Sequence, residues 1–503
     1  MVNDIELPTS PMPDLLVGNC VALPSQTHMI YDTVSIAQAD ISRLDGEILR
    51  LQAVLDGLVS KREALRTYTR LHMGLVAPAR HLLPEILSEI FLQCKKDKEY
   101  SGYPQLDRAP LLLGSVCRRW RTIALSTPWL WASFALTINE DHWKSDSLLA
   151  KTWLARAGAC PLTIALGGSG FEHGIQPLMQ VFLLHCERWY DVQLYLHPDV
   201  LRFLSPAKNR LPMLQKLRVD DTLDETIDIF ECAPQLCCFG LSYRGRASII
   251  KVPWNQLQHF DMGNKDIDRC LELLRLTPHL KSCRVWLDGP APRQSTPQVQ
   301  HLHLCSIHAS GDLVHLYNML LPPKLHEISI DILGLEWGET PQLVSFLSLS
   351  LPKMFSFKSR THHPCDEDMI QILQACPSLV QLELRQCIPQ CMTKHFLAQF
   401  ASHRGSGNSS VQLVPKLHTL IVDYDPSFFN IFDFADAIES RMMFGGELEG
   451  LASDKPLVAE LKTVEIHLKD MGGEPFDTIL SRLRQLKDSG LRISVLEWDK
   501  IWL

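Results

Sequence analysis

Asp366-Glu-Asp-Met-Ile-Gln-Ile-Leu-Gln-Ala-Cys-Pro-Ser-Leu-Val-Gln-Leu-Glu-Leu-Arg385 carries two periods in one short stretch. Met369, Ile372 and Leu373 recur at helical spacing in a segment opened by Asp366 and closed before Pro377. From Leu379 onward the period drops to two, because Leu382 and Leu384 alternate with Glu383 and Arg385 as a half-buried strand requires. The second part, Pro-x-Leu-x-x-Leu-x-apolar, recurs at Pro212–Val219, Pro234–Leu241, Pro278–Val285, Pro297–Leu304, Pro323–Ile330, Pro352–Ser359 and Pro415–Val422. Forms without the proline stand at Leu257–Met262 and Leu461–Ile466. The third positions 214, 236, 257, 280, 299, 325, 354 and 379 are 22, 21, 23, 19, 26, 29 and 25 residues apart, and the later intervals, 38 and 44, contain insertions. Segments between the phrases, such as Ile227-Asp-Ile-Phe-Glu-Cys232 and the run from Ile267, read as helices opened by Asp224 and Asp266.

Each unit is therefore strand, loop, helix. One such unit cannot bury both its strand and its helix, whereas stacked copies share one core, so residues 206–503 are predicted to form parallel strands with outer helices. Upstream, Pro161-Leu-Thr-Ile-Ala-Leu166 and Val192-Gln-Leu-Tyr-Leu196 alternate as strands and assign residues 136–205 to a linker and N-terminal cap. The run from Arg404 to Ser410, inside 402–412, reads as a loop.

At the other end, residues 1–27 hold four prolines and no apolar period, the pattern of a flexible leader. A long amphipathic helix is predicted over 28–76, where Val34, Ala37, Ile41, Leu44, Ile48, Leu51, Leu55, Leu58 and Leu65 form one seam broken only at Arg62. Either residues 34–65 associate with a second copy or the seam packs on its own chain. Gly46 and Gly57 make four heptads a marginal coiled coil.

The whole chain has 503 residues, 46% apolar and 21% charged, with a formal charge of −8, which excludes global disorder and leaves no nucleic-acid footprint. No apolar run reaches the ~18 residues of a membrane helix, and Asp4 and Glu6 precede Pro8 where a signal peptide would be basic and apolar. A cytoplasmic and/or nuclear protein is expected, with its 15 cysteines reduced and mostly buried.

Residues 77–135 form a compact module. Leu83-Pro84-Glu85-Ile86-Leu87 followed by Ile90-Phe91 places Pro84 at a first helical position and a buried stripe behind it. In a second helix Leu112, Val116, Trp120 and Ile123 share a face; Thr127-Pro128 ends it and Trp129, Leu130 and Trp131 follow. These residues, with Val116-Cys117-Arg118-Arg119-Trp120-Arg121, resemble an F-box, and the leading helix and Trp-x-Trp exit are similar to F-box proteins of mushroom-forming fungi. The stretch Lys95–Asp107 is longer and more polar than that family's usual link. The Leu-x-x-Leu-x-apolar phrase in turn resembles the leucine-rich-repeat strand, without its buried Asn in most units, so closure of the ladder must rest on other groups.

The resemblance implies an α/β protein: a long N-terminal helix and a three-helix F-box-like module followed by a leucine-rich-repeat solenoid. It implies that Leu83, Pro84, Ile86, Leu87, Ile90, Phe91, Val116, Cys117 and Trp120 form or support the face meeting a Skp-type adaptor, and through it a cullin, with Trp129 and Trp131 turned to the partner. The chain would then be the substrate-recognition subunit of a cullin-based, SCF-type ubiquitin ligase. The alternative is a non-catalytic interaction scaffold that recruits no cullin. Strand positions between the inward leucines display Arg218, Asp220, Trp286, His303, Asp331, Glu383, Arg385 and Asp423 on the concave face, where a substrate protein would bind. No catalytic constellation, cofactor or metal is expected: Cys387-x-x-x-Cys391 with His395, and His362-His363 with Cys365, lack a supporting tandem motif. Gly167-Gly-Ser-Gly170 has no following Lys, and Ser406 has no strand before it.

Overall fold

Alternating strand faces and helical segments give a predominantly parallel sheet with helices, preceded by one long helix. A computed structural model describes residues 9–17, 21–94, 108–138, 142–168, 175–219, 226–241, 250–263, 267–287, 298–311, 313–332, 340–350, 352, 354–359, 365–385, 393–401, 413–424, 431–442, 461–468, 476–497 and 500–501. Asp220, Asp224, Asp266, Lys95–Asp107, the loop 402–412, His362, His363, Cys387 and Cys391 lie outside them. The chain divides into Met1–Leu87 and Ser88–Leu503.

In the first unit, α1 (Pro13–Val17) falls within the expected leader, and α2 spans Pro24–Leu75. It starts earlier than residue 28 because Pro24 suits the first turn and Gln26 Oε1 accepts the Leu23 N–H at 3.0 Å. No residue of α2 is buried. Helix α3 (Pro84–Gln93) straddles the division between the units.

In the second unit, strands β1 (Ser133–Thr137), β2 (Leu162–Gly168), β3 (Trp189–Leu196), β4 (Lys216–Val219), β5 (Cys238–Leu241), β6 (His259–Gly263) and β7 (Ser282–Leu287) run parallel in that order. After β8 (Val299–Gln300) come β9 (Ser306–Gly311), β10 (Leu320–Leu321), β11 (Glu327–Ile332), β12 (Met354–Ser359), β13 (Gln381–Arg385), β14 (Thr419–Tyr424), β15 (Thr463–Leu468), β16 (Arg492–Glu497) and β17 (Lys500–Ile501). The ladder continues β7-β9-β11-β12-β13-β14-β15-β16, all parallel, and closes on antiparallel β17. It begins at Ser133, so residues 136–205, expected to be a linker and cap, supply strands of the same sheet.

The helices of this unit are α4 (Leu111–Val116), α5 (Arg118–Leu125), α6 (Trp143–Arg156), α7 (Gln176–Leu183), α8 (Pro198–Arg202), α9 (Ile267–Leu276), α10 (Val314–Met319), α11 (Thr340–Ser348), α12 (Asp366–Gln374), α13 (Lys394–Phe400), α14 (Ile431–Met442) and α15 (Phe476–Asp488). From α10 to α15 each packs on the next. In α9, Ile267, Cys270, Leu271 and Leu274 form the buried stripe. Ile227–Cys232, expected to be helical, is not: Ile227 bridges Ile250 as a strand residue does, and only turns follow before Ala233-Pro234.

The phrase Pro297–Leu304 also differs from its expected placement. Val299 belongs to β8, which among the described residues pairs only with β10, while Leu304 takes the site ahead of the strand that Leu280 and Leu325 hold in adjacent units. The third position is therefore 304 instead of 299. At the next irregular unit Phe355 registers with Ile328 and Leu382, which moves the third position from 354 to Pro352.

Backbone carbonyls close the ladder where leucine-rich repeats use asparagine. The Gln215 carbonyl accepts the Cys237 and Cys238 N–H groups, the Cys237 carbonyl those of Gln258 and His259, and the Gln258 carbonyl those of Lys281 and Ser282. Lys281 and Cys305 continue the series, and Val380 and His418 repeat it near the C-terminus. One side chain assists: Gln256 Nε2 donates to the Ala233 and Leu236 carbonyls at 2.8 and 2.9 Å. Close strand approach is enforced at Gly311, where φ is +97° and a Cβ would lie 1.6 Å from the Leu287 carbonyl oxygen.

Arg441 on α14 is fully buried with no carboxylate partner among the described residues. Its Nε donates to the Phe400 carbonyl at 2.8 Å and Nη1 to Val414 at 3.3 Å, Nη2 bonds the Leu413 carbonyl, and the guanidinium lies 4.0 Å from the Phe400 ring centre. Burial lowers its pKa to about 10, so it stays cationic at neutral pH. This one side chain ties the end of α13 to the segment on the far side of 402–412. Arg441→Leu is expected to lower unfolding stability by about 3 kcal/mol through its orphaned carbonyls; an unchanged denaturation midpoint would show that the tie is dispensable.

Candidate functional site

The motif residues separate into inward and outward groups because α3 is short and amphipathic. Leu87 and Phe91 are buried, one turn apart, while Leu83, Pro84, Ile86 and Ile90 are exposed. Trp120 is half-buried with its ring 4.9 Å from that of Phe91. The expected single second helix breaks at Cys117, whose extended backbone (φ −159°, ψ 168°) ends α4; its thiol accepts the Trp120 N–H at 3.4 Å and so caps α5. Leu112 and Val116 therefore do not share one helical face with Trp120 and Ile123: the first two are exposed and Ile123 is buried. Cys117 is exposed as well.

The aromatic exit divides likewise. Trp129 is exposed, but Trp131, expected to face a partner, is core. Its Nε1 donates to the Ala124 carbonyl at 2.8 Å, its ring meets Trp153 edge-on at 4.7 Å, and Arg156 lies over it at 4.5 Å.

On the sheet, inward leucines alternate with positions on the opposite, less buried face, and parallel register aligns those positions into rows. One row runs Gln193, Arg218, Gly240, Asp261, Arg284, His308. Gly240 has no side chain to obstruct the row; a Cβ there would approach Arg218 Nε to 3.1 Å. Arg218 crosses that gap to bond Asp261, which Arg284 also approaches at 3.5 Å. The gap is the floor of a depression of about 260 Å³, edged by Asp191, Lys216 and His259. Burial pushes the Asp191 carboxyl above its usual range, with Lys216 and Arg218 opposing the shift, and burial, then Lys281 and Lys216, lowers His259.

A second cluster lies on β13, β14 and β15. Arg385 pairs with Glu383 at 2.7 Å, Asp423 at 3.5 Å and Glu465 at 3.7 Å, and His467 bonds Glu465. Three carboxylates thus share one guanidinium, while cations outnumber carboxylates at the first cluster.

Trp286 is exposed, with the small residues Gly263 and Ser310 beside it in register. Asp331 is half-buried on β11. Two expected face residues are placed differently. His303 sits in the turn before β9, its ring 5.6 Å from His279, because the strand starts later than the Pro297 phrase implied. Asp423 lies on the face but is buried at 5% exposure under Arg385. Asp191, Asp261, Arg284, Glu465 and His467 were not among the expected residues, though the same alternation reaches them on β3, β6, β7 and β15.

Among the described residues no group of three or more His, Cys, Asp or Glu is arranged to hold a metal ion, and no helix is long and apolar enough to cross a membrane. The cysteines depart from expectation: of twelve described, Cys186, Cys270, Cys283 and Cys376 are buried and five are exposed, Cys94, Cys117 and Cys365 at helix ends, Cys232 in a turn and Cys305 just ahead of β9. No family model matches the chain, and no curated protein matches it.

An acid whose folded pKa lies above its unfolded one costs stability when ionised, a cost that disappears as pH falls below both values. Asp191→Asn is therefore expected to raise the apparent Tm at pH 7 by on the order of 2 °C, with the gap closing near pH 4. A lowered Tm at pH 7 would mean that Lys216 and Arg218 outweigh the burial.

Proposed function

We propose that the chain is a non-catalytic substrate receptor of a cullin-based ubiquitin ligase, in which an F-box-like module docks a Skp-type adaptor and a leucine-rich-repeat solenoid holds a substrate protein. The observation that carries the proposal is the division of the motif: Phe91 is buried, while Ile90 on α3, and Leu112 and Val116 on α4, remain exposed. Exposed large aliphatic residues in such a short segment are costly in water and suit a protein partner.

The sheet supports the second half of the proposal. Its face opposite the leucines carries ion-paired rows, Trp286 and one shallow depression, and it suits a protein surface better than a buried small molecule. A substrate reading both clusters would present an acidic segment to Arg218, Arg284 and Lys216 and a basic one to Glu383 and Glu465. Bound there, it would have its lysines held near the charged conjugating enzyme, and the effective concentration gained by tethering is the whole of the receptor's catalytic contribution.

Ile90→Asp with Val116→Asp tests adaptor docking without touching the core. Recovery of a Skp-type adaptor on affinity purification is expected to fall at least tenfold, a change of about 1.4 kcal/mol, with the thermal unfolding curve unchanged. Undiminished adaptor recovery would reject the docking face. Recovery of adaptor with cullin and RING subunit from the unmodified chain supports the ligase; adaptor without cullin would replace it with the scaffold.

A further inference from the structure

Helix α2 is 52 residues long and none of them is buried, although Val34, Ile41, Leu44, Ile48, Leu51, Leu55, Leu58 and Leu65 all stand exposed along one stripe. From 34 to 65 that stripe is about 47 Å long, far beyond a scattered surface leucine. In heptad terms Val34, Ile41, Ile48, Leu55 and Arg62 take one core position and Ala37, Leu44, Leu51, Leu58 and Leu65 the other. Gly46 and Gly57 fall outside the seam, and a Cβ on either would meet nothing within 4 Å.

We propose that this stripe is covered by the same helix of a second copy of the chain, running antiparallel. Charge decides both the occupant and the direction. Residues 30–49 carry Asp32, Asp40, Asp45 and Glu47 against Arg43, net −3, while residues 50–69 carry Arg50, Lys61, Arg62 and Arg66 against Asp56 and Glu63, net +2. The two halves are complementary only when the helices oppose each other.

The layers agree. With Val34 opposite Leu65, every core position finds a core position: Ile41 meets Leu58, and Ile48 meets Leu51 across the two-fold axis. Arg62 then faces Ala37, the smallest side chain on the seam, past which its stem can lie while the guanidinium stays in water. Asp40 comes beside Lys61 of the second copy, and the two-fold axis repeats the contact. Parallel pairing would instead set Asp40 against Asp45, Lys61 against Arg66 and Arg62 against Arg62, gaining only Val54 against Val59. The Asp40–Arg43 pair at 3.1 Å within each helix is exposed and does not compete strongly.

This pairing does not depend on the receptor proposal, because it uses neither the adaptor face nor the sheet. Sedimentation of the full chain at low salt is expected to show a monomer–dimer equilibrium. The D40K variant sets two lysines side by side across the seam, and K61E sets two carboxylates there. Each is expected to raise the dimer Kd about tenfold, and the two together to restore it to within about twofold. In a parallel dimer either single variant would create an attractive contact, so tighter association of D40K or K61E overturns the direction. A monomer at all concentrations, a higher oligomer, or a dimer indifferent to both variants overturns the pairing.

Discussion

One backbone carbonyl just ahead of the strand, shared by two N–H groups of the following unit, recurs at seven strands of the sheet and sets the geometry on which its register depends. From Gln215 through Cys237, Gln258, Lys281 and Cys305 the same acceptor recurs. Each bond fixes where the next strand starts, and a parallel strand displaced by one residue would turn its leucines to water. Because the acceptor is main chain, side chains at these sites vary among Gln, Cys, Lys, Val and His without loss of register. That freedom explains how the units tolerate such uneven lengths: what must be kept in space is a carbonyl and a buried apolar residue two places ahead of the strand.

Uniform register has a functional consequence. It converts alternate residues of separate strands into straight rows, so that Arg218, Asp261 and Arg284, distant in sequence, meet around Gly240. Each ion pair is partly exposed and contributes little to stability. In the proposed receptor their value lies in arrangement, since a row of fixed alternating charge would select among partners by repelling the wrong ones.

Much of this architecture is legible in the sequence because strand alternation and helical period differ sharply. Glu383 and Arg385 could be placed on one strand face from Leu382 and Leu384 alone. What misled was the proline. It marks the approach to a strand in most units, but Pro297 precedes the short strand Val299–Gln300 while Leu304 introduces the ladder strand, so His303 landed in a turn. Cys117 carried no breaker signal, yet its extended backbone splits what reads as one helix. Pairwise tertiary facts lie beyond periodicity altogether: nothing local says that Arg441 reaches the Phe400 carbonyl, that Asp423 is buried under Arg385, or that Trp131 is core while Trp129 is not.

The long helix shows the opposite limit. Its period is plain in sequence, and its exposure adds what sequence could not supply, that no residue of Pro24–Leu75 is buried. Two alternatives then reduce to one physical question, what covers the stripe. An isolated helix of this length gains nothing from an apolar seam, since propensity and i,i+4 pairs sustain it equally well without leucines. In the proposed antiparallel pair, a seam whose spacing holds over four heptads, with its glycines displaced to outer positions and its one cation opposite alanine, would meet a partner of the same length. The reversal of charge about residue 50 makes the helix its own complement.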